Sequence, residues 1–182
     1  LQPRTIPGER NMRMDKPKIY LETTMFSFYY GQETTPEYRQ YKADARAVFD
    51  LIKAGEFEAY TSTLATDEIA GEPDQEKQRN MYALIRDYSV KLLYETDEVT
   101  RLAALYIQEK AVPESHPVDA AHIAIATANG LDFIVTLNFS HIARIWTIER
   151  VRRVNIREGY KGIGIYRPAE VLDYENDARL HE

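Results

Sequence analysis

From Lys18 onward the chain alternates short β-prone apolar runs with longer stretches of helical period. That alternation limits the fold more than any other feature. Lys18-Ile19-Tyr20-Leu21 follows Pro17 and reads as a strand ending at Glu22-Thr23-Thr24. An aromatic run, Met25 to Tyr30, stops at Gly31. Pro36 then opens a helix whose apolar face is Tyr38, Tyr41, Ala45, Val48, Phe49 and Ile52, with Gly55 as its stop. Phe57 to Ser62 reads as a second strand, and Thr63 to Ala70 as a short helix ended by Gly71 and Pro73. Met81, Leu84, Ile85 and Tyr88 mark another amphipathic face. Ser89 to Tyr94 reads as a third strand, followed by a helix capped by Thr96 with Val99, Leu102, Ala103 and Tyr106 inward. Val118 to Asn129 is apolar almost all round, which predicts a buried helix with Gly130 as a left-handed cap. Phe133 to Thr136 is a fourth strand, and Tyr160 to Gly164 a turn into a last one. Strands alternating with helices predict a parallel α/β sheet.

The 182 residues suffice for one domain with a substantial core. Residues 17–175 are expected to form it, behind a disordered leader at 1–16 and ahead of a polar tail at 176–182. The leader carries Arg4, Arg10, Arg13 and Lys16 without an apolar stretch, so it does not read as a signal peptide. No apolar run approaches the roughly 18 residues of a membrane helix. With no cysteine, disulfides, thiolate zinc sites and cysteine nucleophiles are excluded, and a cytoplasmic location is expected. His116, His122 and His141 match no common zinc spacing and read as ordinary core or surface residues, with His141 a candidate substrate contact. Trp146 is expected to pack against the sheet.

Ligands of open parallel sheets collect outside the carboxyl ends of the strands. Glu22 and Asn138 fall at two such ends, while Glu68 and Asp119 lie on helices that follow loops. Asp119 begins the most apolar helix, where taken alone it reads first as a plain N-terminal cap. Asp67 and Glu68 are adjacent, so one of them should be solvated. Glu22 is harder to dismiss, because a carboxylate at a buried strand end costs several kcal/mol unless paired or metal-bound. The net charge is −6, yet Arg144, Arg150, Arg152, Arg153, Arg157, Lys161 and Arg167 meet only Glu149 and Glu158 in one segment. This reads either as a solvated surface or as a phosphate-binding rim.

The ordered set resembles a known family. Ile19-Tyr20-Leu21-Glu22-Thr23-Thr24, the stretch around Glu68, Asp119-Ala120-Ala121-His122-Ile123-Ala124, and Ile134-Val135-Thr136-Leu137-Asn138-Phe139-Ser140-His141-Ile142 look like successive motifs of PIN domains. Val154-Asn155 and Arg167-Pro168-Ala169-Glu170-Val171-Leu172 are similar to the ending of many bacterial members. The resemblance spans about Lys18 to Leu172. It implies a three-layer α/β/α fold around a central, mostly parallel sheet. It also implies a metal-dependent ribonuclease, often the toxin of a toxin–antitoxin pair. The family's acidic site maps onto Glu22, Glu68, Asp119 and Asn138 as ligands of Mg²⁺ or Mn²⁺, with Thr23 holding a carboxylate or a water. RNA would be steered by Arg144, Arg150, Arg152, Arg153 and His141. An antitoxin and a second copy of the chain are the expected protein partners. The chain departs at two positions: Glu22 stands where Asp is usual, and Asn138 replaces the Asp often found fourth. These departures motivate an alternative, a PIN-like RNA-binding or regulatory module with weakened catalysis. A third reading is a fold-only relative acting on small phosphorylated molecules.

Overall fold

The computed structural model describes residues 16–180. The expected leader therefore lies outside the described residues, apart from Lys16.

The five strands are β1 (Lys18–Leu21), β2 (Glu58–Ser62), β3 (Lys91–Leu93), β4 (Phe133–Val135) and β5 (Gly164–Tyr166). They form one sheet in the order β3-β2-β1-β4-β5, and every pairing is parallel. Parallel neighbours need long crossovers, and helices supply them. These are α1 (Thr23–Tyr29), α2 (Pro36–Ala54), α3 (Thr63–Ala70), α4 (Gln75–Asp87), α5 (Asp97–Gln108), α6 (Pro117–Ala128), α7 (Ile145–Glu158) and α8 (Pro168–Leu180). The chain is a three-layer α/β/α fold.

Strand side chains alternate between two cores. Tyr20, Ile134 and Ile165 join the α5–α6–α7 side. Ile19, Leu21, Phe133 and Val135 face the other side, with Phe49 of α2, Met81 of α4 and Val171 of α8. Helix α6 explains its own composition: Ala120 to Thr127 are all buried, so no polar face is needed.

Most helix ends obey local chemistry. Thr35, Ser62, Asp74 and Thr96 each accept a backbone N–H as caps of α2 to α5. Gly55, Gly130 and Gly159 take positive φ after α2, α6 and α7. Three elements are less legible in sequence. The aromatic run after Glu22 lies almost wholly in α1, where Phe26 is buried and Phe28, Tyr29 and Tyr30 pack part-buried on the same core. The basic segment after Arg144 is largely α7, and α8 carries the chain through Leu180, over most of the expected tail. Trp146 is not packed on the sheet as expected. It is 57% exposed, with the Arg150 guanidinium 3.9 Å from its ring centre. Its place in the first turn of α7, on the outer side, accounts for the difference.

Among the described residues, no helix is long and apolar enough to cross a membrane.

Candidate metal centre

In the order β3-β2-β1-β4-β5 the strand order reverses between β1 and β4, which is where open sheets bind ligands. Glu22 leaves β1 and Asn138 follows β4 on this line. The Glu22 N–H bonds the Val135 carbonyl at 3.2 Å, which ties the two strand ends together.

Glu22 is 3% exposed. Its Oε2 accepts from the Thr24 N–H at 3.2 Å, the Thr24 hydroxyl at 2.5 Å and the Thr136 hydroxyl at 2.8 Å. The first of these bonds also caps α1. Oε1 receives no hydrogen bond from the described residues. Burial raises the carboxyl above its ordinary pKa, and the Glu68 charge adds to this. The His122 charge and the two threonine bonds only partly offset it.

Glu68 Oε2 accepts from the Thr23 hydroxyl and lies 2.8 Å from His122 Nε2. Burial acts to raise this carboxyl, but His122 and Thr23 outweigh it and hold it below its ordinary value. Asp67, its neighbour, is exposed, and the Glu68 side chain is itself 40% exposed. His122 is fully buried, and its Nδ1 lies 2.7 Å from the Tyr20 hydroxyl, itself 2.6 Å from Ser62 Oγ. Burial pulls the imidazole down, yet the Glu68 hydrogen bond and the Glu22, Glu68 and Asp119 charges leave it raised.

Asp119 sits in the first turn of α6 but does not serve as its cap; His116 occupies that position without a side-chain bond. Asp119 Oδ1 accepts from Asn138 Nδ2 at 3.0 Å. Oδ2 faces two imidazoles, His141 Nδ1 at 3.1 Å and His116 Nδ1 at 3.8 Å. Burial raises its pKa, and the three histidines only partly reverse that.

Asn138 was expected as a ligand, but its oxygen accepts the His141 N–H at 3.0 Å. Its amide nitrogen turns to Asp119, so in this arrangement it positions the Asp119 carboxylate and the nearby loop. The reason is the tight turn after Thr136, whose hydroxyl accepts the Asn138 N–H at 2.9 Å.

The structure thus brings together Glu22, Thr23, Glu68, Asp119, Asn138 and His141. The basic residues are placed differently. Arg144 bonds the Ser140 carbonyl near the site. Arg150 turns to the Glu109 and Lys110 carbonyls at the far end of α5, and Arg153 lines the same side with Arg157. Arg152 is exposed on α7. Arg157, Lys161 and Arg167 are paired with Glu109, Asp132 and Glu170.

Sequence reasoning named His141 only as a substrate contact and missed His116 and His122 as site members. Asp119 and His122 are three apart on one helix, which places them on one face, and that signal was available. His116 and His141 meet only through the fold.

Two donor groups result, Glu22–Glu68–His122 and His116–Asp119–His141, with the donor atoms of each within 4.8 Å of one another. In the first, both His122 nitrogens are engaged, so the unengaged donors are carboxylate oxygens. Hard cations prefer such a set.

Comparison with protein-family models and with curated proteins gave no match to this chain.

Proposed function

We propose that the chain is a metal-dependent ribonuclease of the PIN type. In this reading Glu22, Glu68 and Asp119 hold Mg²⁺ or Mn²⁺. The observation that carries it is the Glu22–Glu68 carboxylate pair at the β1/β4 switch point, with Asp119 held nearby through Asn138. Each has one oxygen fixed by protein donors: Glu22 by Thr24 and Thr136, Glu68 by Thr23 and His122, Asp119 by Asn138. The Glu22 and Glu68 Oε1 atoms have no hydrogen-bond partner among the described residues. A carboxylate as buried as Glu22, next to a second carboxylate, is costly without a cation. The donor set therefore fits the metal.

A divalent cation bound there would lower the pKa of a water and neutralise oxygens of an in-line phosphodiester displacement. The protein's share is orientation. Thr24 and Thr136 fix the Glu22 carboxylate, and Thr23 and His122 hold Glu68 against it. Asn138 fixes Asp119 Oδ1 while anchoring the His141 loop.

A groove of about 770 Å³ beside the His116–His141 pair supports an RNA substrate. Lys110 and Arg144 outweigh Glu114 on its lining, and the exposed Trp146 offers a ring for base stacking. Thr147, on its wall, bonds the His141 carbonyl, so the groove leads to the site. In this reading Arg144 and His141 contact the strand near the site, while Arg150 acts through Trp146. The same reading brings in an antitoxin and a second copy of the chain as protein partners, and makes the chain the toxin of a type II pair.

The second reading, an RNA-binding module with weak catalysis, draws on Asn138: it uses its amide nitrogen toward Asp119, leaving three charges for the metal.

The deciding experiment is cleavage of mixed single-stranded and structured RNA with EDTA, Mg²⁺ or Mn²⁺, alongside Asp119→Asn. Cleavage is expected with metal only and should be lost in the variant. Metal-dependent RNA binding without cleavage would move the assignment to the second reading. Cleavage that survives Asp119→Asn would place the site elsewhere.

A further inference from the structure

The donor group His116–Asp119–His141 differs chemically from the Glu22–Glu68 side. Two imidazoles and one carboxylate converge from separate elements: the N-cap and first turn of α6, and the loop between β4 and α7. Their rings stack with centres 3.6 Å apart and planes 24° apart. Both present Nδ1 to the same oxygen, Asp119 Oδ2, at 3.1 and 3.8 Å. A simple ion pair would need only one histidine. Ligands about 2.1 Å from a common cation lie roughly 3.0–3.5 Å apart, so these spacings are close to coordination geometry already.

We infer that His116, Asp119 and His141 form a site for a first-row transition-metal dication such as Zn²⁺ or Co²⁺, beside the oxygen-rich Glu22–Glu68 pair. Imidazole nitrogen is a softer donor than carboxylate or water, and it favours these ions over Mg²⁺.

The surrounding bonds organise the site. Asn138 Nδ2 takes Asp119 Oδ1, which leaves Oδ2 for the cation. Asn138 Oδ1 accepts the His141 N–H, and Thr147 bonds the His141 carbonyl at 2.9 Å, fixing that loop from both sides. Pro117 fixes the backbone just after His116. The His116 and His141 side chains are 40% and 27% exposed, so water can complete the coordination shell and a ligand can reach it. The α6 N-terminus opposes a cation, and the Asp119 and Glu68 charges offset it.

This inference shares Asp119 with the proposed function, so its test reads metal affinity rather than RNA cleavage. The test is titration of the full chain with Co²⁺, followed by visible absorption, and with Zn²⁺ and Mg²⁺, followed by calorimetry. It is run in the Glu22→Gln background to silence the neighbouring carboxylate pair. Co²⁺ and Zn²⁺ should bind at least about tenfold more tightly than Mg²⁺. Adding His116→Ala and His141→Ala should weaken Co²⁺ and Zn²⁺ by at least about tenfold. Unchanged Co²⁺ affinity in a folded double-histidine variant would overturn the assignment. A measurement on the unaltered chain guards against misfolding: substoichiometric Co²⁺ should broaden the ring-proton resonances of His116 and His141 in NMR spectra. Unaffected His116 and His141 signals would equally overturn it.

Discussion

Glu22 shows what a buried carboxylate costs and how its neighbours hold it. Its carboxylate is buried and raised in pKa, and it is retained by three donors on one oxygen. Glutamine keeps an acceptor for Thr24 and Thr136 but removes the buried charge. We expect Glu22→Gln to leave metal-free stability equal or higher, while stabilisation by Mn²⁺ disappears; urea denaturation with and without Mn²⁺ measures both. Thr136 does two jobs from a fully buried position, donating to Glu22 and accepting from Asn138. Thr136→Val would leave the Asn138 N–H without its acceptor. A loss of about 1–3 kcal/mol is expected in denaturant unfolding, with weaker metal binding in the same variant. A silent Thr136→Val would mean that the β4 turn does not depend on this hydroxyl.

Helices α5, α6 and α7 are locked by one buried polar contact as well as by packing. The Tyr106 hydroxyl of α5 bonds Asn155 Oδ1 of α7 at 2.6 Å and lies 3.2 Å from Thr127 of α6. Asn155 Nδ2 is buried without a partner among the described residues, so the tyrosine bond is what holds that amide. Tyr106→Phe should cost about 1–3 kcal/mol in thermal or chemical unfolding. At the end of α7, Gly159 has φ 78° with open space around its Cα. Gly159→Ala therefore meets only backbone strain, and a loss of about 1 kcal/mol is expected. A substantially larger loss would indicate a contact that the fold does not contain.

Across the whole molecule, the charges at the switch point make metal-free stability depend on pH. Glu22 and Asp119 are raised, so the folded chain keeps protons that the unfolded chain releases. The stability linked to them is present at low pH and lost as pH rises through their folded values. His122 is raised too, so its contribution is full below the ordinary imidazole value and is lost above it as pH rises. Glu68 is lowered and acts in the opposite sense, losing its contribution only as pH falls through its depressed value. From about pH 5 to pH 8, metal-free stability should therefore fall as pH rises. Metal binding to the folded state alone would counter the fall, by about 2.7 kcal/mol at a hundred times the dissociation constant. Urea midpoints across this range, with and without Mn²⁺, provide the check. A metal-free midpoint that rises with pH would contradict the arrangement.

The strand and helix order was legible because its signals are local. Period-two and helical apolar spacing, Pro36, Thr96 and the stopping glycines act within a few residues of their effect. Glu22, Glu68 and Asp119 were legible as candidates because a strand end or a post-loop helix is also a local position. Helix α1 escaped notice because its aromatics run consecutively from Phe28 to Tyr30 and show no clean helical period. Helix α7 was masked by its arginines, whose partners, Glu109 above all, are far away in sequence. The histidines could not be assigned from spacing, since His116 and His141 are 25 positions apart and meet only when the β4–α7 loop folds over α6. The orientation of Asn138 was likewise decided by the turn after β4. Chain-local chemistry determined which elements form, and tertiary packing alone decided which charged groups share a buried space and which oxygens remain open.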